Sequence, residues 1–189
     1  MGREKIGDAQ LAPHKPVTAL QEDRHKDYVH CTPPDAPTYR EFSVFTAGSI
    51  EMGKAVEWQL LMANLLSDLP ITVCNPRRPG EWDTTISKEA KNEIMLEQVT
   101  WELAAMEKAD VICFFFDVDT NSPVTMLELG LWLKSGKVVI CCNGGYHRNA
   151  NIKITCGKYG VPVVETFEEL VPKVRQMLEK KGVPMPKET

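Results

Sequence analysis

The stretch Val111-Ile112-Cys113-Phe114-Phe115-Phe116 is an uninterrupted apolar run. A strand with one wet face alternates apolar and polar residues; a run like this one has to be covered on both faces. Lys137 to Cys142 repeats the pattern. Shorter apolar segments at Phe42–Ala47, Ile71–Cys74 and Val161–Val164 have the length of further strands. Helical spacing falls between them. Val56, Leu60, Ala63 and Leu66 share one face of Lys54–Asp68, and Met95, Val99, Leu103 and Met106 share one face of Lys88–Lys108. A last helix is expected over Phe167–Lys180. Strands alternating with helices predict a three-layer α/β domain of flavodoxin or Rossmann type, with a parallel sheet of roughly five strands.

Residues 1–40 are rich in proline and charge and lack sustained periodicity, so they read as a flexible or surface-lying tail. The domain is expected over 41–182, with a short C-terminal tail at 183–189. The hydrophobic content of 43% suffices for one sizeable core. A net charge of −4 argues against binding nucleic acid by phosphate neutralisation. The six cysteines include no C-x-x-C pair, and the histidines do not join them at zinc-site spacing, so no metal site is expected. Three of the cysteines lie inside apolar strand runs, as reduced buried thiols do. Neither a signal-peptide core nor a membrane-spanning run is present in the sequence, and the expected location is the cytoplasm.

In open parallel sheets, ligands bind beyond the carboxyl ends of the strands. That rule gathers four loops at one end: Gly48–Gly53, Asn75–Ser87, Asp117–Asn121 and Asn143–Asn151. The helix after the third of these loops is the most informative element. Ser122-Pro123 reads as its N-cap and first position, and Gly136 as its stop. Val124, Leu127, Leu131 and Trp132 form an apolar stripe, with Glu128 in the middle of it. A carboxylate set in an apolar stripe is either paired or functional.

Gly48-Ser49-Ile50-Glu51-Met52-Gly53-Lys54-Ala55 nearly matches a phosphate-binding loop, with Asp117 as the acidic residue for magnesium. Ala55 breaks the match, because it carries no hydroxyl for the metal. Alternatively, the glycines allow a tight turn and nothing more. A nucleotide kinase is therefore a minor alternative. A nucleotide sensor without catalysis is another, since a fold does not guarantee turnover.

Several segments, in order, resemble the nucleoside 2-deoxyribosyltransferase-like family. They are Ala47-Gly48-Ser49-Ile50; Asn75-Pro76-Arg77-Arg78 with Trp82-Asp83; Gln98-Val99-Thr100-Trp101-Glu102-Leu103 with Ala109-Asp110-Val111; Asn121-Ser122-Pro123 with Leu127-Glu128-Leu129-Gly130; and Cys141-Cys142-Asn143-Gly144-Gly145-Tyr146 with Arg148 and Asn151. The resemblance implies cleavage of the N-glycosidic bond of a 2-deoxynucleoside. Glu128 would attack the anomeric carbon and hold the sugar as an ester, and a second free nucleobase would resolve that ester by transfer. Glu102 would protonate or orient the base. Gly48, Ser49, Ile50, Asp83, Asp117, Asn121 and Ser122 would line the substrate pocket. No cofactor is implied, and homo-oligomers are. The transferase branch usually carries an aspartate six residues before its glutamate, where this chain has Ser122. The related deoxynucleoside-monophosphate hydrolases carry serine there. Water as the acceptor, with a 5′-monophosphate substrate, is therefore the second reading. Arg77, Arg78 and Arg148 are the candidate phosphate ligands under it.

Overall fold

The computed structural model describes residues 7–51, 55–79 and 92–186. After a 3-10 turn at Gly7–Leu11, the elements are β1 Val29–Cys31, β2 Phe42–Gly48, α1 Trp58–Leu65, β3 Ile71–Cys74, α2 Glu93–Lys108, β4 Val111–Phe116, α3 Pro123–Trp132, β5 Val138–Cys142, α4 Asn149–Tyr159, β6 Val163–Val164 and α5 Phe167–Lys181. The strands form one sheet in the order β1-β3-β2-β4-β5-β6, and every pairing is parallel.

Burial follows the sheet's two faces. Val44, Val111, Cys113, Phe115 and Val139 point to the side covered by α1 and α5, packing with Trp58, Met62, Phe167 and Leu170. Phe45, Ile112, Phe114, Phe116 and Ile140 point to the other side, against Trp101 and Met106 of α2, Leu129 of α3 and Ile152 of α4. The apolar run of β4 is buried at all its positions, as expected of a central strand with a helix layer on each face. Among the described residues, no helix is long and apolar enough to cross a membrane.

Three expectations need correction. The sheet has six strands rather than roughly five. The added strand is β1, whose residues pair with Thr72, Val73 and Cys74 of β3. It is too short to show periodicity, and it comes from the stretch read as a tail. That stretch also sends Leu11 fully into the core. Second, α2 buries Gln98, Trp101, Ala105 and Met106, while Leu103 is exposed. The core face is rotated from the expected one because a large indole and a satisfied amide take the inward positions. Third, the stripe of α3 faces outward: Val124, Leu127 and Leu131 are 58%, 65% and 59% exposed. Thr125 and Leu129 are buried instead. A helix apolar on several sides gives no clear signal as to which side meets the sheet. In addition, α4 occupies a region where no helix was expected. Its core contacts are few, chiefly Ile152 and Cys156. All six cysteines are free and buried.

Candidate active site

The chain leaves β2 for β3 on one side, then crosses back to place β4 on the other side of β2. This is the sheet's switch point, and the crevice outside the carboxyl ends of β2 and β4 is where ligands bind in such sheets. Gly48 ends β2 and Ser49 follows it, and Asp117 to Ser122 follow β4.

Gly48 lies against β4. A Cβ there would sit 2.4 Å from the Phe115 carbonyl oxygen and 2.7 Å from the Trp58 ring, so only glycine fits. Ser49 is fully buried. Its Oγ shares a hydrogen bond of 2.5 Å with Ser122 Oγ and accepts from the Asp117 N–H at 2.9 Å. Thr120 Oγ1 completes a hydroxyl cluster, 2.9 Å from Ser49 Oγ and 2.7 Å from Ser122 Oγ. Ser122 begins α3 in a left-handed conformation, with φ 49°, and its side chain does not cap the helix. Its hydroxyl is used between the loops instead, which corrects the N-cap expectation. Pro123 holds the first position, as expected.

Asp117 is buried, and its carboxylate accepts from Gln10 Nε2, the Val56 N–H and the Asp119 N–H at 2.8–3.0 Å. This ties the N-terminal turn, the approach to α1 and the loop after β4 to one group. The oxygens that a phosphate-loop reading reserves for magnesium are already accepting hydrogen bonds. The backbone carbonyl of Ile50 accepts from the Ala55 N–H at 3.3 Å. Asn121 donates its N–H to Glu51 and accepts from the Tyr146 hydroxyl at 2.7 Å. Tyr146 itself packs on Phe116, a core-capping role. Trp82, Asp83, Lys54 and the rest of 52–54 and 80–91 lie outside the described residues.

Glu102 and Glu128 come from α2 and α3, which cover the same side of the sheet, and the charge of Glu102 acts on Glu128. Both are part-buried. Burial raises Glu128 to about 8, with a further upward push from the charge of Glu102. Burial also raises Glu102, to about 7, against the opposing effects of a hydrogen bond from Gln98 and the charge of Arg78. Gln98 Nε2 donates to Glu102 Oε1 at 2.8 Å. Among the described residues, no side chain hydrogen-bonds the Glu128 carboxyl. Two part-buried carboxyls whose pKa values burial raises suit acid–base and nucleophilic work.

The family described as nucleoside 2-deoxyribosyltransferase-like matches residues 41–146, more than half of the chain. The chain belongs to this family. The match contains both carboxylates, the hydroxyl cluster and the strands that carry them. A crystal structure of a conserved protein from Enterococcus faecalis has the same fold. It superposes with a TM-score of 0.51 at 14% identity, covering 71% of this chain and 98% of that one. No curated protein matches the chain.

Several site residues were not visible in the sequence. Thr120 lies two positions before Ser122, and Gln98 lies one helical turn before Glu102, the spacing at which helix side chains meet. Gln10 sits in the supposed tail. Two of the three arginines singled out for phosphate are engaged elsewhere, and the third, Arg148, is exposed. Arg77 donates to the carbonyls of Ala55 and Val56 and to Gln59, and pairs with Glu57. Arg78 donates to Gln98 and Glu97. A cavity of about 340 Å³ opens on the other side of the sheet, among Gln10, Pro13, Phe115, Cys141, Asn143 and Glu165. Neither Glu102 nor Glu128 lines it, so its size does not make it the reaction site.

Proposed function

We propose that the protein cleaves the N-glycosidic bond of a 2-deoxynucleoside and transfers the deoxyribosyl group to another nucleobase. The observation that carries this reading is the pair Glu102 and Glu128. They are part-buried on helices of one side of the sheet and raised by burial above the usual carboxylate range, in a chain of this family.

The chemistry needs one proton and two carboxyls. An ionised Glu128 oxygen attacks the anomeric carbon as the carbon–nitrogen bond breaks, and the bond's electron pair goes to the departing base. Glu102 delivers the proton that this nitrogen takes up. The sugar is left as an ester on Glu128, reached through an oxocarbenium-like transition state that a carboxylate stabilises. A second base then attacks the same carbon, the ester bond returns its electrons to Glu128, and Glu102 takes up the incoming base's proton. In the free protein burial favours the protonated form of both groups, Glu128 more than Glu102, so Glu128 gives up its proton to solvent before it attacks. Gly48, Ser49, Ile50, Asn121 and Ser122 frame the sugar side of the pocket, and Asp117 holds their loops together. Asp83 is proposed as a contact to the base.

Hydrolysis of a 5′-monophosphate is the second reading, favoured by the serine at position 122. The commitments of Ser122, Arg77 and Arg78 to protein partners support an unphosphorylated nucleoside instead. We further propose that the outward apolar face of α3 joins two copies of the chain, in keeping with the oligomers the family resemblance implies.

The test is chromatographic. The protein and Glu128→Ala are each given deoxynucleosides and their monophosphates, with and without a second free base. A new nucleoside formed by the unmutated protein alone is the expected result. Free base with deoxyribose, or with its 5-phosphate, would move the assignment to the hydrolase. Binding without turnover that persists in Glu128→Gln would leave a nucleoside sensor.

A further inference from the structure

Gln98 is a polar residue on the inner face of α2, only 7% exposed, with every polar atom engaged. Its two amide hydrogens go to different acceptors, the Pro76 carbonyl at 2.9 Å and Glu102 Oε1 at 2.8 Å. Its Oε1 accepts from Arg78 Nε at 3.1 Å. These partners fix the amide's sense. Turning it over would set its oxygen against two acceptors and its NH₂ against a guanidinium donor. Arg78 is itself held, through its ion pair with Glu97 one residue before Gln98. Glu102 thus receives a hydrogen bond whose direction is set by a different element, the loop after β3. Glu128 receives no such bond from a described residue.

We propose that Gln98 is a positioning residue for the reaction at Glu102 and Glu128. Its amide aims the Glu102 carboxyl and favours that group's ionised form. This rests on the reading of that pair as the reacting groups. A donor to the ionised form of Glu102 keeps that form available to take a proton back from the incoming base. Without the donor, Glu102 would hold its proton more tightly and turn freely about its side-chain bonds. Among the described residues, the charge acting on Glu102 is that of Arg78, from the loop after β3, and the charge of Glu102 acts in turn on Glu128 of α3. Gln98 is the neutral group between Arg78 and Glu102.

The experiment compares the full chain with Gln98→Met, which keeps the length of the side chain and removes its amide. Carboxyl carbons are followed by NMR against pH, with Glu102 assigned from the signal missing in Glu102→Gln. Turnover of a deoxynucleoside is followed in parallel. The expected result is an upward shift of the Glu102 midpoint, a kcat lowered about tenfold or more with KM within about threefold, and an upper limb of the kcat profile moved to higher pH. A midpoint that stays in place in the folded variant overturns the proposal, whatever its thermal stability. If Gln98→Met does not fold, Gln98→Asn takes its place. It keeps an amide on the buried face but withdraws it by one methylene from Glu102, adds no charge, and the same upward shift is expected. The titration needs no substrate. If the unmutated protein turns over no deoxynucleoside, the functional reading fails while the effect of Gln98 on Glu102 is still measured.

Discussion

A carboxyl group that has lost water and gained no donor keeps its proton, and Glu128 is in that position. Its ordinary value of 4.5 rises to about 8 in the folded chain. Protonation is therefore more favourable folded than unfolded, and the stability it contributes is complete below about pH 4.5. That contribution is lost as the pH rises through about 8. Glu102, raised to about 7, adds a smaller effect of the same sign. Glu128→Gln should therefore stabilise the fold at pH 8 by about 1–3 kcal/mol, have little effect at pH 5, and abolish turnover. Thermal midpoints at the two pH values test this, and a variant less stable at pH 8 would mean that Glu128 is held in an ion pair. Glu102 carries a different prediction. If it protonates the leaving base, Glu102→Gln should lose about 10²–10³ in rate on ordinary deoxynucleosides. An N7-methylated purine deoxynucleoside, whose base departs uncharged, should be affected far less. Equal losses on both substrates would remove the proton-donor role. Both glutamates were legible in the sequence, because each lies inside a family segment. The residue that orients one of them was not, because Gln98 shows its role only when Pro76 and Arg78 come round from another loop.

Strands were easier to read than helices, and the reason is geometric. The runs of β4 and β5 are apolar throughout, so they belong in the centre whichever way they face. A helix has to choose a face. Leu96, Leu103, Val124, Leu127 and Leu131 are all exposed, while Gln98 and Thr125 are buried. Spacing alone gave the residues that share a side but not the side that meets the sheet. The short β1 and the weakly anchored α4 carried no period to read. The turn after β2 was legible as a glycine turn, but its cause lies in the packing. Gly48 pairs with Phe115 across β2 and β4, and the backbone of β4 leaves no room for a methyl group. Gly48→Ala should cost about 2–4 kcal/mol and displace Ser49 from its hydroxyl cluster. Chemical denaturation measures the first effect. The second should appear as reduced turnover under conditions where the variant is still fully folded. A fully stable Gly48→Ala would mean that β2 and β4 are further apart than the packing shows.

At the scale of the whole molecule, the N-terminal stretch and the apolar helix faces bear on one question, namely what covers the site. Leu11 in the core and Gln10 on the loop after β4 bind the start of the chain to the sheet's ligand-binding end. Asn64 of α1 holds the same stretch further along, through Ala19 and Gln21. The α2–α3 side is different. Val124, Leu127 and Leu131 form one outward row on the helix that carries Glu128, and Leu96 and Leu103 are exposed on the helix that carries Glu102. Apolar surface gathered in this way on a single chain fits the contact between two copies proposed above. A second copy laid on it would shield the carboxyl pair from water, in the environment that keeps both groups raised. A stable pairing of this kind buries on the order of 1,200–2,000 Å². The chain should therefore sediment above its 21.2 kDa monomer mass at micromolar concentration. Leu127→Asp with Leu131→Asp should return it to that mass by placing unpaired charges in the contact. The same double variant should lose most of its turnover while keeping its fold by circular dichroism. A native chain that sediments as a monomer, or a double variant that remains associated, would remove this face from the interface.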